Sequence, residues 1–185
     1  AFYPLLDQED SVKQLESLRL VVLGGEAMDT SRMDCPAVME NEFELINAYG
    51  PTETTATCTA HRVSRQLIAQ RLEVPIGKPI SNVQVYLLDK HLNPVPVGVT
   101  GELYAGGIGV GEGYWQQPAT TAQYFLPNPF ADQSGARMYK TGDLAKYLPD
   151  GNIVYLGRSD FQVKIRGLRI ELGEIESRLQ QHPDI

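Results

Sequence analysis

Residues 47–53 read N-A-Y-G-P-T-E and run on into Thr54, Thr55, Ala56 and Thr57. Seven positions place an amide, a phenol, a Gly-Pro turn, a hydroxyl and a carboxylate side by side. The apolar run at 43–46 leads into them as the end of a buried strand. Gly50-Pro51 then turns the chain, because glycine tolerates unusual dihedrals and proline fixes its own. Side chains carried on such a turn can converge on a cleft that takes a flat ring, a phosphate and a metal. The same spacing also suits an ordinary strand end followed by a polar turn, and spacing alone leaves both readings open.

Working outward, residues 10–18 have Val12, Leu15 and Leu18 at helical spacing, with Ser11 as a candidate cap. The β-rich run 18–23 stops at Gly24-Gly25. G-G-E-A-M lacks the G-x-G-x-x-G spacing of a dinucleotide loop, so a close-packed turn beside a cleft is the better reading. A helix is expected within 33–41, limited by Pro36. Strand, helix, strand is the pattern of a parallel layer covered by helices. Residues 63–72 read as helical, and 74–79 (V-P-I-G-K-P) as a linker-like turn without Walker spacing.

From Val83 onward, short strands alternate with turn signals. Val83, Val85 and Leu87 alternate, 93–98 turn, and 103–105 return. The glycine-rich run 106–113 reads as a bulged, tightly bent strand at a rim. Residues 145–147 and 152–156 form a hairpin across L-P-D-G. The fold class expected is α/β: a strand-helix layer followed by a distorted antiparallel β-barrel. Asp143 follows a glycine in Y-K-T-G-D-L and precedes a strand; it can clamp two ribose hydroxyls or cap a turn. Arg158, Lys164, Arg166 and Arg169 occupy strand-like positions. They form either a solvated face or a grip on phosphate or carboxylate. The tail turns helical at Ile175 and Leu179.

Charge and composition narrow the partners. The chain has 185 residues and a formal charge of −7, with no basic patch, which argues against nucleic acid. Its apolar runs are too short to span a bilayer, and no signal peptide opens the sequence. Cys35 and Cys58 lack metal-type spacing and point to a reducing, cytoplasmic compartment. His61, His91 and His182 are scattered, which disfavours a zinc site.

Four stretches, N-A-Y-G-P-T-E, G-E-L-Y-A-G-G-I-G-V-G-E-G-Y, Y-K-T-G-D-L and G-R-S-D-F-Q-V-K-I-R-G-L-R-I-E-L-G-E-I-E, occur in the order and spacing of one family. Together they closely resemble the adenylation domains of nonribosomal peptide synthetases, in the adenylate-forming superfamily. The resemblance runs from about residue 18 to 181 and implies a later part of the large subdomain plus the start of the small C-terminal one. Residues 1–80 would be the α/β layer, 81–158 the β-barrel, and 159–185 the hinge and first small-subdomain elements.

The resemblance implies ATP- and Mg²⁺-dependent activation of an amino acid, or a related carboxylic acid, as acyl-AMP. The acyl group would then pass to the phosphopantetheine thiol of a carrier domain. Asn47 would bond adenine and Tyr49 would stack on it. Thr52 and Glu53 would be catalytic, Thr52 touching the α-phosphate and Glu53 holding the metal. Asp143 would bind the ribose hydroxyls, with Tyr155, Arg158 and Lys164 near the nucleotide and Asp160 as hinge. Val22, Gly24, Ala48, Ala56 and Thr57 would line a pocket for a larger, uncharged substrate. The family's phosphate loop would precede Ala1 and its catalytic lysine would follow Ile185. Adenylating activity is therefore not expected from these residues alone, and ATP–pyrophosphate exchange tests that. Gly111-Glu112 also departs from the alanine-arginine common in relatives. Alternatives from other classes are a non-catalytic nucleotide- or domain-binding piece and an acyl-CoA-synthetase-like ligase; the V-K-I-R-G tail disfavours the latter.

Overall fold

The computed structural model describes residues 2–8, 10–159, 163–165, 168–170 and 172–181. Helices α1 (Tyr3–Leu6) and α2 (Ser11–Leu15) precede strand β1 (Leu20–Gly24). Asp10, not Ser11, takes the cap position of α2, and Ser11 is buried. Next come α3 (Thr30–Met33) and α4 (Pro36–Met39), two short helices where one was expected. Pro36 begins the second, as a residue without an N–H is tolerated in a first turn. Strand β2 (Glu44–Tyr49) follows and pairs parallel with β1, as the strand-helix-strand pattern requires. Strand β3 (Thr59–Arg62), helix α5 (Arg65–Ala69) and the short β4 (Lys78–Pro79) complete this part. Both β3 and β4 pair antiparallel, so the four-stranded sheet, in order β1-β2-β3-β4, is mixed.

The second sheet is antiparallel. It comprises β5 (Val83–Leu88), β6 (Gly101–Gly107), β7 (Phe125–Pro127), β8 (Arg137–Tyr147) and β9 (Ile153–Arg158), with helix α6 (Pro118–Tyr124) leading into β7. Eleven-residue β8 organises it. One edge of β8 pairs with β6, while the other pairs with β7 near its start and with β9 near its end. Among the described residues these strands form an open sheet and do not close into a barrel. The long central strand leaves β5 at one side and β7 with β9 at the other. The expected hairpin between β8 and β9 is present. A two-stranded ribbon, β10 (Val163–Ile165) with β11 (Leu168–Ile170), and helix α7 (Leu172–Leu179) follow. The expected hinge at Asp160, together with Arg166, lies outside the described residues.

Two apolar clusters hold the layers. The first packs Leu15, Val21, Met33, Val38, Phe43, Leu45 and Ile68 between the helices and the mixed sheet. The second joins the two sheets, with Tyr49, Cys58 and Ile76 from one against Val85, Leu87, Leu103, Ala145 and Ile153 from the other. Each fully buried aliphatic side chain there contributes about 1.5–3 kcal/mol. Residues 74–79, read as a linker, are instead the seam. The Ile76 N–H donates to the Ile153 carbonyl at 2.8 Å, and the Ile153 N–H returns to Gly77 at 2.9 Å.

Candidate functional site

Three of the seven opening residues are strand, not turn. Asn47, Ala48 and Tyr49 finish β2, and a short 3₁₀ turn, Thr52–Thr54, follows Pro51. Strand alternation puts Asn47 and Tyr49 on the buried face and Ala48 on the other. Positive φ on this turn occurs at Thr55 and Ala56, not at Gly50. Glycine is needed at 50 for closeness: a Cβ there would lie 2.7 Å from the Cys58 amide nitrogen and 2.8 Å from the Ala56 carbonyl oxygen.

A cavity of about 990 Å³ opens where the two sheets meet, at the carboxyl ends of the parallel strands β1 and β2. Ligands of open α/β sheets characteristically bind in this position. Asn47, Ala48, Tyr49 and Gly50 form one wall, Tyr155 and Arg158 of β9 another. Residues 25–28 after β1 and 71–74 after α5 complete it. The loop after β1 lies beside the cavity, as its reading as a turn beside a cleft expects; no sequence motif marks 71–74, whose position follows from the helix it leaves.

Behind that wall lies Asp143, 3% exposed. It sits within β8 rather than before a strand, because the β8 ladder continues through a bulge at Leu144 and Ala145. Arg158 Nη1 donates to Asp143 Oδ1 at 2.7 Å, and the Tyr49 hydroxyl donates to Oδ2. Burial first, then the neighbouring Asp143 charge, raises the Tyr49 phenol well above its ordinary value, so it stays a donor. The Tyr49 and Tyr155 rings lie 6.3 Å apart. Asn47 Nδ2 donates to the Pro75 carbonyl at 2.9 Å, which fixes the amide at the cavity wall.

The structure thus gathers Asn47, Ala48, Tyr49, Tyr155 and Arg158 around one cavity, with Asp143 reached through Tyr49 and Arg158. Thr52 and Glu53 stand further along the turn and do not line it. Val22, Gly24 and Ala48 share the less buried face of the mixed sheet, in the register Val22 with Ile46 and Gly24 with Ala48. Val22 is 57% exposed there, and Ala56 is exposed on the turn with Thr57 beside it. Lys164 lies on β10.

Glu53 has neighbours that sequence reasoning missed. The Tyr114 hydroxyl donates to Glu53 Oε1 at 2.7 Å and lies 3.1 Å from the Tyr139 hydroxyl. Burial, then Tyr114 and the Glu53 charge, raises the Tyr139 phenol, so it remains protonated at neutral pH. Both tyrosines stand in quoted motifs, and the signal that would have found them was a phenol at each motif edge. Among the described residues no cluster of three or more His, Cys, Asp or Glu side chains can cage a metal. One carboxylate does suit Mg²⁺ arriving with a nucleotide, since that ion takes one or two carboxylates plus phosphates and waters. The donor set fits such an ion.

A family model for AMP-binding enzymes matches residues 1–115. The chain is 50% identical over 181 residues to malpibaldin synthetase of Mortierella alpina, covering 98% of this chain and 3% of that protein. It is 47% identical over 184 residues to tyrocidine synthase 3 of Brevibacillus parabrevis, covering 98% and 3%. Among solved structures, an NRPS protein containing adenylation and PCP domains superposes with a TM-score of 0.86 at 32% identity, covering 98% of this chain and 36% of that one. An artificially fused adenylation-PCP di-domain from Klebsiella oxytoca gives 0.82 at 30%, covering 98% and 33%. This chain therefore spans a few hundredths of these curated relatives and about a third of these solved structures. On the family match and the four motifs, the chain belongs to the AMP-binding enzymes.

Proposed function

We propose that the chain supplies the adenosine-binding wall of an enzyme that activates an amino acid, or a related carboxylic acid, with ATP. The observation that carries this is the linked set Tyr49–Asp143–Arg158 at the edge of a cavity large enough for a nucleotide. In this reading the Tyr49 and Tyr155 rings hold the base, with Asn47 at its edge. Asp143 takes the ribose hydroxyls, as an acceptor-only carboxylate that Tyr49 and Arg158 hold beside the cavity. Thr52 contacts the α-phosphate, Glu53 holds Mg²⁺, and Lys164 approaches the nucleotide. Asp160 serves as the hinge of the small subdomain. Val22, Gly24, Ala48, Ala56 and Thr57 border the substrate's side chain. Residues 1–80, 81–158 and 159–185 form the successive parts.

The substrate carboxylate oxygen attacks the α-phosphorus, and the bond to the β-phosphate oxygen breaks. Pyrophosphate leaves with that electron pair and acyl-AMP remains. A phosphopantetheine thiolate of a carrier domain then attacks the acyl carbon, AMP leaves, and a thioester forms. Positioning and charge neutralisation dominate displacement at phosphorus, and bound Mg²⁺ supplies the latter. This chain's residues orient the adenosine and hold the reacting phosphate in line. Products of such assembly are secondary metabolites, and we place the enzyme in the cytoplasm, where unpaired Cys35 and Cys58 would stay reduced. No helix among the described residues is long and apolar enough to cross a membrane.

AMP titration of the chain, followed by ligand-observed NMR, tests the reading. The native chain is expected to bind AMP, and Asp143→Ala to weaken it about ten-fold through loss of the ribose acceptor. Absence of AMP binding by the native chain would count decisively against it.

A further inference from the structure

The glycine-rich run has a structural partner that its sequence did not disclose. Residues 107–114 leave β6 and lie along the turn that carries Glu53. The Gly111 N–H donates to the Glu53 carbonyl at 2.8 Å, and the Thr55 hydroxyl donates to the Gly109 carbonyl at 2.9 Å. From behind, Arg137 donates to the Gly111 and Glu112 carbonyls at 3.0 and 2.7 Å, holding the loop in place. The loop ends at Tyr114, whose hydroxyl reaches Glu53 Oε1.

That phenol is held on several sides. Its ring meets Phe125 edge-on at 5.4 Å and Tyr124 at 6.2 Å, and its backbone N–H donates to the Thr121 hydroxyl at 2.9 Å. The direction of the second contact follows from proton counting. Tyr114 has one hydroxyl proton, and it is donated to Glu53 Oε1. The contact to Tyr139 therefore runs the other way, Tyr139 donating to the Tyr114 oxygen. Tyr139 is 1% exposed and lies near the start of β8, between β6 and β7. A buried donor thus orients a packed donor, which orients the carboxylate. Glutamate has three side-chain torsions to restrain and tyrosine only two, so the aromatic arm brings its order ready-made.

We infer that Tyr114, backed by Tyr139, is a positioning residue for Glu53, and that the glycine-rich loop exists here to carry it across to the other sheet's turn. The inference rests on the reading of Glu53 as the metal-holding carboxylate and extends it to residues outside the cavity. Partners behind a metal's direct ligands commonly matter this way, since they fix the ligand's orientation.

The test uses the 185-residue chain with Mn²⁺ as probe and ATP present, read by water-proton relaxation. Tyr114→Phe keeps the ring and removes only the donor; it is expected to weaken Mn²⁺·ATP binding about ten-fold. Metal-free AMP affinity should stay unchanged, which a merely structural loss would not allow. Tyr139→Phe should act in the same direction with a smaller effect. Glu53→Gln is the reference arm. If Glu53→Gln weakens Mn²⁺·ATP binding while Tyr114→Phe does not, the positioning role is wrong and the reading of Glu53 stands. Should Glu53→Gln change nothing, or the native chain fail to bind Mn²⁺·ATP, the reading of Glu53 falls and this inference with it. A parallel fall in AMP and Mn²⁺·ATP affinity in Tyr114→Phe would also overturn the inference, by assigning Tyr114 to general packing.

Discussion

Asp143 shows how one buried carboxylate ties the two sheets into a site. Its side chain is 5% exposed and that of Arg158 12%, so solvent screens the pair little. Removing the cation while leaving the carboxylate buried is expected to cost about 3 kcal/mol. Arg158→Met should therefore lower the urea midpoint markedly, and adding Asp143→Leu should restore most of the loss. If the single and double variants unfold together, the pair does not govern this junction. The phenols add a pH dependence of definite sign. Tyr49 and Tyr139 have folded values raised above the ordinary 10.0. Below that pH both folded and unfolded chains keep the protons, and the contribution is full. Above it the unfolded chain releases protons that the folded chain retains, so stability falls as pH climbs toward the folded values. Tyr139→Phe should flatten the decline in melting temperature between about pH 9 and pH 11, and an unchanged slope would contradict this. The sequence pointed to Asp143 through its motif but misjudged its setting. Nothing in Y-K-T-G-D-L says that β8 continues past the glycine, because the bulge that permits it depends on the partner strands β6 and β9.

Among the elements, the decisive one is the seam at residues 74–79, which reads in sequence as a linker because its prolines and glycine are turn-forming types. Gly77 has a φ of +89°, and a Cβ there would lie 2.0 Å from the Ala60 carbonyl oxygen. No side chain fits between β3 and the seam. Gly77→Ala combines left-handed strain with overpacking and is expected to cost about 3 kcal/mol. The same change should weaken AMP binding, because Ile76 and Tyr155, on the two sides of the seam, both line the cavity. Thermal melts and AMP titration of one preparation check both effects. A variant as stable as the native chain would show that the sheets are held by the apolar cluster alone. Strand β5, by contrast, was legible, since the alternation of Val83, Val85 and Leu87 is local; of β6 only 103–105 was read, because its burial pattern does not alternate. Helix α6 was missed because its stretch, P-A-T-T-A-Q-Y, is polar and contributes no fully buried residue to mark a face.

At the scale of the whole molecule, the layering was legible and the outline was not. Strand-helix-strand spacing specifies a parallel pair under helices, yet it cannot say how the next strands pair or whether a sheet closes. The consequence is visible on β1, which pairs only with β2 among the described residues. Its Leu20 and Val22 are 54% and 57% exposed on the face shared with Ile46 and Ala48. An apolar face beside an unpaired strand edge is a template for association. The net charge of −7 opposes this, but spread over the surface it acts weakly at physiological salt, where the screening length is about 8 Å. Association should thus win as concentration rises, and high salt should favour it further by screening the repulsion. Sedimentation velocity is expected to show concentration-dependent species in the native chain. Leu20→Glu, which puts a charge on the open face without touching the cavity lining, should shift the distribution toward monomer. A compact native monomer across the whole concentration range would mean that the open face is too small or too interrupted by Glu44 and Arg62 to bind a second copy.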